Sequence, residues 1–360
     1  MNNYDAKKAL DQLISKSRVH LYKPIQIAEI LYRDRVHQDI QLEELSTYRI
    51  SSKRWRDNIC LKLLGRVSTS SSKLQDNLFE DNAIPPAVLY ELGRENKLYN
   101  GIVEAYIYGK FAERLQQMST ALVYCQSTTW RVFELSAFLA LFRREPGLKR
   151  SIDKIYEIIV YALFSVLLEI LNISVEISID PDRAEILTEF GDFTQQVINL
   201  SLESPNLRIP AKVNRVGVTN AADRGLDMWS NFGLAIQIKH LSLDPKMAEG
   251  IVNGISADRI VIVCKDSEEQ TIVSLLNQIG WKSRIQSIIT EKMLIAWYEK
   301  ALRGKYSDQI GLRLVEILQE QIKVEFPSTE SVEIYEFMLE RGYAELRRRI
   351  SRDRIEQIWI

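Results

Sequence analysis

The chain has 360 residues, 46% of them hydrophobic and 26% charged, enough for two packed domains with real cores. Its 47 Lys and Arg against 48 Asp and Glu leave a formal charge of −1, which argues against a uniformly basic nucleic-acid module but allows a basic cleft on a neutral body. No run reaches the roughly eighteen apolar residues of a membrane span. The start MNNYDAKKAL is no secretory signal, and three isolated Cys with three scattered His make neither a disulfide framework nor a zinc site.

In chain order, residues 1–145 read as a helical domain. Ala6–Val19 is amphipathic, and PIQIAEILYRDRV from Pro24 repeats apolar residues at helical spacing. LEELSTY is expected to be a short helix, and SSKRWRDNICLKLLGR a third, capped by Ser51 or Ser52 and stopped by Gly65. VSTSSSKLQDN is a Ser-rich loop. Pro85 and Pro86 open a further helix, with long helices expected from about Leu98 to Gln117 and from Trp130 to Arg143. REPGLKR, Arg144–Arg150, is the strongest break.

Beyond it the pattern changes. A very apolar helix, IDKIYEIIVYALFSVLLEIL, precedes the alternating strand ISVEISI and a polar helix to about Leu200. The stretch DRGLDMWSNFGLAIQIKHLSL reads as two short strands around Asn231-Phe232-Gly233. A short helix near Met247–Ile255, the strand RIVIVCK, the helix EEQTIVSLLNQIG and the strand RIQSIIT follow. This order predicts an α/β domain with a mixed sheet over 150–295, and a charged helical extension over 296–360 ending in AELRRRISRDRIEQIWI.

The hairpin carries the chemistry. Asp227 lies ten positions before Gln237, and Lys239 follows Gln237 by two, so strand alternation allows all three to share one edge. Two oxygen ligands suit Mg²⁺, and an ammonium beside them suits a phosphate and an attacking water. The bare spacing also recurs by chance in strand pairs. Asp223 is an alternative to Asp227, whereas His240 alternates to the opposite face.

GLDMWSNFGLAIQIKH resembles the catalytic hairpin of the PD-(D/E)XK nuclease superfamily in its Q-x-K variant, over roughly Ser151 to Thr290. Together with the N-terminal KSRVHLYKPIQIAEILYRDR, it is similar to the HaeII-like type II restriction endonucleases. The resemblance implies a restriction-endonuclease-like mixed sheet flanked by helices, with an N-terminal helical domain. It implies Asp227, Gln237 and Glu157 as Mg²⁺ ligands and Lys239 beside the attacking water. Two departures stand out: Gln237 replaces the commoner Asp or Glu, and Leu226 replaces the Pro before the Asp.

The three N-terminal helices resemble a helix-turn-helix array in order and length. In the third, Trp55, Ile59 and Leu63 are expected to face inward. Arg54, Asn58 and Lys62 form a separate stripe suited to base edges, and Lys73 is placed for phosphate contact. That stripe also reads as an ordinary solvated face. The Arg-rich end, with Leu346, Ile350, Ile355 and Ile358, is expected near an interface. The resulting expectation is a cytoplasmic homodimer that cuts double-stranded DNA and works with a cognate DNA methyltransferase. Alternatives are a modification-dependent or repair nuclease of the same fold, and a non-catalytic DNA-binding regulator.

Overall fold

The computed structural model describes residues 3–68, 75–81, 83–145, 147–216, 226–238, 255, 257–264, 285–326 and 332–346. These divide into two compact units. One holds the chain up to Ile155 and again from Gln319, and the other runs from Tyr156 to Leu318. The division differs from the three expected segments. It falls inside two helices, and the residues after Gln319 join the N-terminal helices instead of forming a separate extension.

The first unit is built of helices α1 (Asn3–Lys16), α2 (Tyr22–Tyr32), α3 (Ser51–Leu64), α4 (Pro86–Leu98), α5 (Ile102–Ser127) and α6 (Leu135–Arg144). α2 is buried almost all round, because Ile25, Ile27, Ala28, Ile30 and Leu31 leave it no solvated face. Each such Ile or Leu contributes about 1.5–3 kcal/mol of transfer free energy. The polar residues on the same helix must therefore be paired. Gln26 donates to Ser52 Oγ at 2.9 Å and accepts from Arg56 at 3.1 Å, and Glu29 accepts from Tyr108 and Arg341.

Three helical expectations change. LEELSTY forms only a 3₁₀ turn at Leu45–Thr47, since the Thr47 hydroxyl binds the carbonyls of Gln41 and Glu44 and competes with helical pairing. The array thus lacks its middle α-helix, and α2 continues instead into a π turn, Arg33–His37. The long helix begins at Ile102 because Gly101 takes φ 101°, where a side chain would also press on the Arg35 guanidinium at 3.1 Å. It then runs to Ser127. The last of these helices starts at Leu135 instead of Trp130. α3 ends as expected at Gly65, φ 66°, which donates to the Leu61 carbonyl at 3.0 Å.

The second unit is α/β. Helix α7 (Ile152–Ile170) spans the boundary and leads into it, followed by β1 (Ser174–Ser178), α8 (Leu187–Val197), β2 (Asn206–Pro210), β3 (Val213–Arg215), β4 (Met228–Ser230), β5 (Leu234–Ile238), β6 (Arg259–Cys264) and β7 (Ile285–Thr290). β3 to β7 form one mixed sheet in that order, antiparallel from β3 to β5 and parallel from β5 to β7. The expected strand ISVEISI is present as β1, but it pairs with β2 in a separate two-stranded ribbon. Neither β2 nor the three-residue β3 was legible as a strand.

Thr290 ends β7 and caps α9 (Glu291–Arg303), its hydroxyl accepting from the Met293 N–H at 3.2 Å. Tyr298 on α9 donates to the Ile159 carbonyl of α7 at 2.8 Å. α10 (Ser307–Glu325) and α11 (Val332–Glu340) complete the described helices, and α11 lies in the first unit. The helices expected at 247–255 and 268–280, and the Arg-rich residues 347–360, lie outside the described residues, apart from Ile255.

Candidate active site

The register of the β4–β5 hairpin is fixed by its turn. Gly233 takes φ 82°, and Ser230 Oγ accepts from the Leu234 N–H at 2.9 Å. Asn231 clamps the turn to the chain entering β3: it accepts from the Lys212 N–H at 2.8 Å and donates to the Pro210 carbonyl at 2.9 Å. Met228 then pairs with Ile236, which sets Asp227, one residue before β4, directly opposite Gln237 on β5. On the other side, Val216 N–H donates to the Asp227 carbonyl at 2.9 Å.

β5 is buried at every position. Ile236 and Ile238 turn to one face, as expected. Gln237 shares the other with Ala235, and its parallel neighbour is Ile262, both part of an apolar cluster that includes Ile260 and Cys264. An amide with 1% exposure in that setting needs partners. Gln237 Nε2 donates to Asp227 Oδ2 at 2.5 Å, and the Ile238 N–H donates to the same oxygen at 2.7 Å. Gln237 Oε1 is buried without a hydrogen-bond partner among the described residues. Such an orphan acceptor costs about 1–3 kcal/mol, a penalty that a cation would offset. A carboxylate and an amide oxygen form a hard donor set that fits Mg²⁺ or Ca²⁺. Among the described residues, no three His, Cys, Asp or Glu gather into a metal cluster.

Glu157 lies on α7 and is 5% exposed. Its Oε2 stands 3.7 Å from the Arg215 guanidinium, a pair whose side chains are both almost fully buried. Arg215 is opposite Met228, so alternation assigns it to the face away from Asp227 and Gln237. The structure therefore brings Asp227 and Gln237 into direct contact and places Glu157 in an ion pair with Arg215. Sequence reading missed Arg215, because a three-residue strand after Pro210 gives no periodic signal. Lys239, Asp223 and His240 lie outside the described residues.

In α3, Arg54, Asn58 and Lys62 are exposed, as expected. Lys62 is engaged, however, donating to Glu340 at 3.0 Å. The inward face runs through Ser52, Arg56, Cys60 and Leu63, with Trp55 and Ile59 only half-buried. Arg56 displaces them because Gln26, Asp57 and Gln75 satisfy its guanidinium. Lys73 lies outside the described residues.

A mixed sheet flanked by helices, with an acid-amide pair on adjacent strands, defines an α/β restriction-endonuclease-like protein. Comparison with known proteins narrows this. The model of the HaeII restriction endonuclease family matches residues 6–343. The type II restriction enzyme HaeII of Haemophilus aegyptius is 61% identical over 338 residues, 94% of this chain and 96% of that enzyme. The type II restriction enzyme NgoBI of Neisseria gonorrhoeae is 58% identical over 344 residues, 95% of this chain and 97% of that enzyme. No solved structure matches. The chain belongs to the HaeII restriction endonuclease family and is a type II restriction endonuclease.

Proposed function

We propose that this enzyme hydrolyses phosphodiester bonds of double-stranded DNA at a short specific site with Mg²⁺, using a PD-(D/E)XK-type catalytic unit centred on Asp227 and Gln237. The observation that carries this reading is the direct contact of those two side chains, with one amide oxygen left buried and unsatisfied. Mg²⁺ bound there would supply polarisation of the scissile phosphate and a more acidic water.

The chain's own groups do the rest. Asp227 contributes the charge of the site, fixed in place by the Ile238 N–H. Gln237 contributes an oxygen without charge, which leaves the site one negative unit poorer than an acidic pair. Glu157, the third carboxylate named from the sequence, is held by Arg215 at 3.7 Å in this structure and would have to leave that pair to make up the charge. Lys239, two residues past Gln237, orients the attacking water or, as the neutral amine, takes its proton at Nζ, and as the ammonium it offsets charge on the phosphate. Arg54, Asn58, Lys62 and Lys73 contact DNA. The enzyme acts as a homodimer in the cytoplasm, paired functionally with a DNA methyltransferase that protects the same site. No described helix is long and apolar enough to cross a membrane.

The test is incubation of purified enzyme with unmethylated and methylated phage DNA, with Mg²⁺ or with chelator. Discrete fragments from unmethylated DNA in Mg²⁺ alone are expected. Cutting confined to methylated DNA points to a modification-dependent nuclease, and no cutting of any DNA points to a binding regulator.

A further inference from the structure

Between residues 50 and 64, along α3, the exposed positions are Ile50, Ser51, Arg54, Asn58, Leu61 and Lys62. At about 100° per residue they fall within about 120° of the helix circumference, with Ile50, Arg54 and Leu61 within about 40° of one line. None of the six is acidic. The carboxylates that border this face are already engaged: Asp57 by Arg56, Asp76 by Arg49 and Lys53, and Glu340 by Lys62. Arg54 and Asn58, by contrast, have no hydrogen-bond or ion-pair partner among the described residues. Into this polar face the helix sets two large aliphatic side chains, Ile50 at 72% and Leu61 at 59% exposure. A face built only for water gains nothing from them.

We propose that Leu61 is a specificity-determining residue, packing against the C5 edge of a pyrimidine in the major groove beside the bases that Arg54 and Asn58 read. The inference rests on the reading of α3 as a helix that faces DNA, and goes beyond it in naming an apolar contact. Charge favours DNA as the occupant, because the stripe carries cations and no carboxylate. Chemistry narrows the fit. The major groove admits a helix and offers phosphates for cations, base-edge donors and acceptors for Arg and Asn, and one apolar group, the C5 substituent of a pyrimidine. Leu61 lies three residues after Asn58 and seven after Arg54, so the three side chains share one stripe. An apolar protein partner would instead desolvate the Arg54 guanidinium and the Asn58 amide. The contact makes recognition sensitive to a methyl group at C5. It gains from the methyl of thymine and is crowded by a methyl added to cytosine.

The experiment uses the full-length enzyme and a DNA fragment that wild type cuts in Mg²⁺. The fragment is amplified with ordinary nucleotides, with uracil in place of thymine, or with 5-methylcytosine in place of cytosine. Specific binding to each is measured in Ca²⁺ by competition gel shift. Wild type should lose about fivefold or more in affinity on one substituted fragment: the uracil DNA if Leu61 meets thymine, the methylated DNA if it meets cytosine. Leu61→Ala should shrink that loss to about twofold or less with circular dichroism unchanged, and Leu61→Met, which keeps an apolar contact, should retain it. A wild type indifferent to both substitutions, or a Leu61→Ala variant with the full wild-type loss, would overturn the assignment. If Arg54→Ala and Asn58→Ala still weaken specific binding in that case, only the leucine is misassigned. If they too bind as wild type does, the reading of α3 as DNA-facing falls with it.

Discussion

Gln237 explains both what the site can hold and why the site stands out in the sequence. A polar residue in LAIQI, a run otherwise fit for a buried strand, has to be paired, and its pairing with Asp227 follows from a hairpin whose turn residues are local in sequence. The register was therefore legible. Arg215 was not, because the strand that presents it is three residues long and its partner Glu157 lies 58 positions away on α7. One substitution probes the site without relying on turnover. Gln237→Glu sets two carboxylates within hydrogen-bond distance, so in chelator the variant should lose about 1–3 kcal/mol of stability relative to wild type. Mg²⁺ should restore most of that loss, read as a melting temperature that rises with Mg²⁺ more steeply than in wild type. A melting temperature with no added Mg²⁺ response would argue against a cation between these side chains.

Among the elements, the helices themselves were readable from apolar spacing, but an inward face held by buried polar pairs was not. α3 shows the difference. Periodicity favoured Trp55 and Ile59 as its core face, whereas Arg56 occupies it through hydrogen bonds to Gln26 and Gln75, partners remote in sequence. The same physics ties α11 to α2. Arg341, just after α11, donates to both oxygens of Glu29 at 2.9 and 3.1 Å and lies over the Tyr32 ring at 3.6 Å. Arg341→Met leaves Glu29 buried without its cation and should cost about 3–5 kcal/mol in denaturant melts. The double change Glu29→Gln with Arg341→Met should recover part of it; no recovery would show that packing, not charge, dominates there. For DNA, the exposed face of α3 predicts that Asn58→Ala weakens specific binding by about 1–3 kcal/mol in fluorescence anisotropy while sparing non-specific binding. Equal loss on both kinds of DNA would assign Asn58 to the backbone instead.

At the scale of the whole molecule, the unit boundaries were the least legible feature, because the residues after Gln319 return to the N-terminal helices through contacts that no local pattern announces. His20 reports on that closure. It is stacked against Tyr22 and Phe326, and burial, together with Arg66 and Arg18, lowers its pKa from 6.5 to about 4. Between those values the unfolded chain binds the proton and the fold does not. Stability should therefore be complete above about pH 6.5 and fall as pH drops toward about 4, by at most about 3 kcal/mol. His20→Phe should flatten thermal melts across that window, and an unchanged slope would remove His20 from the account. The central claim concerns the hairpin. It is tested most directly by Lys239→Ala, assayed for cleavage in Mg²⁺ and for specific DNA binding in Ca²⁺. Cleavage abolished with binding largely intact is the predicted result; cleavage at the wild-type rate would contradict it.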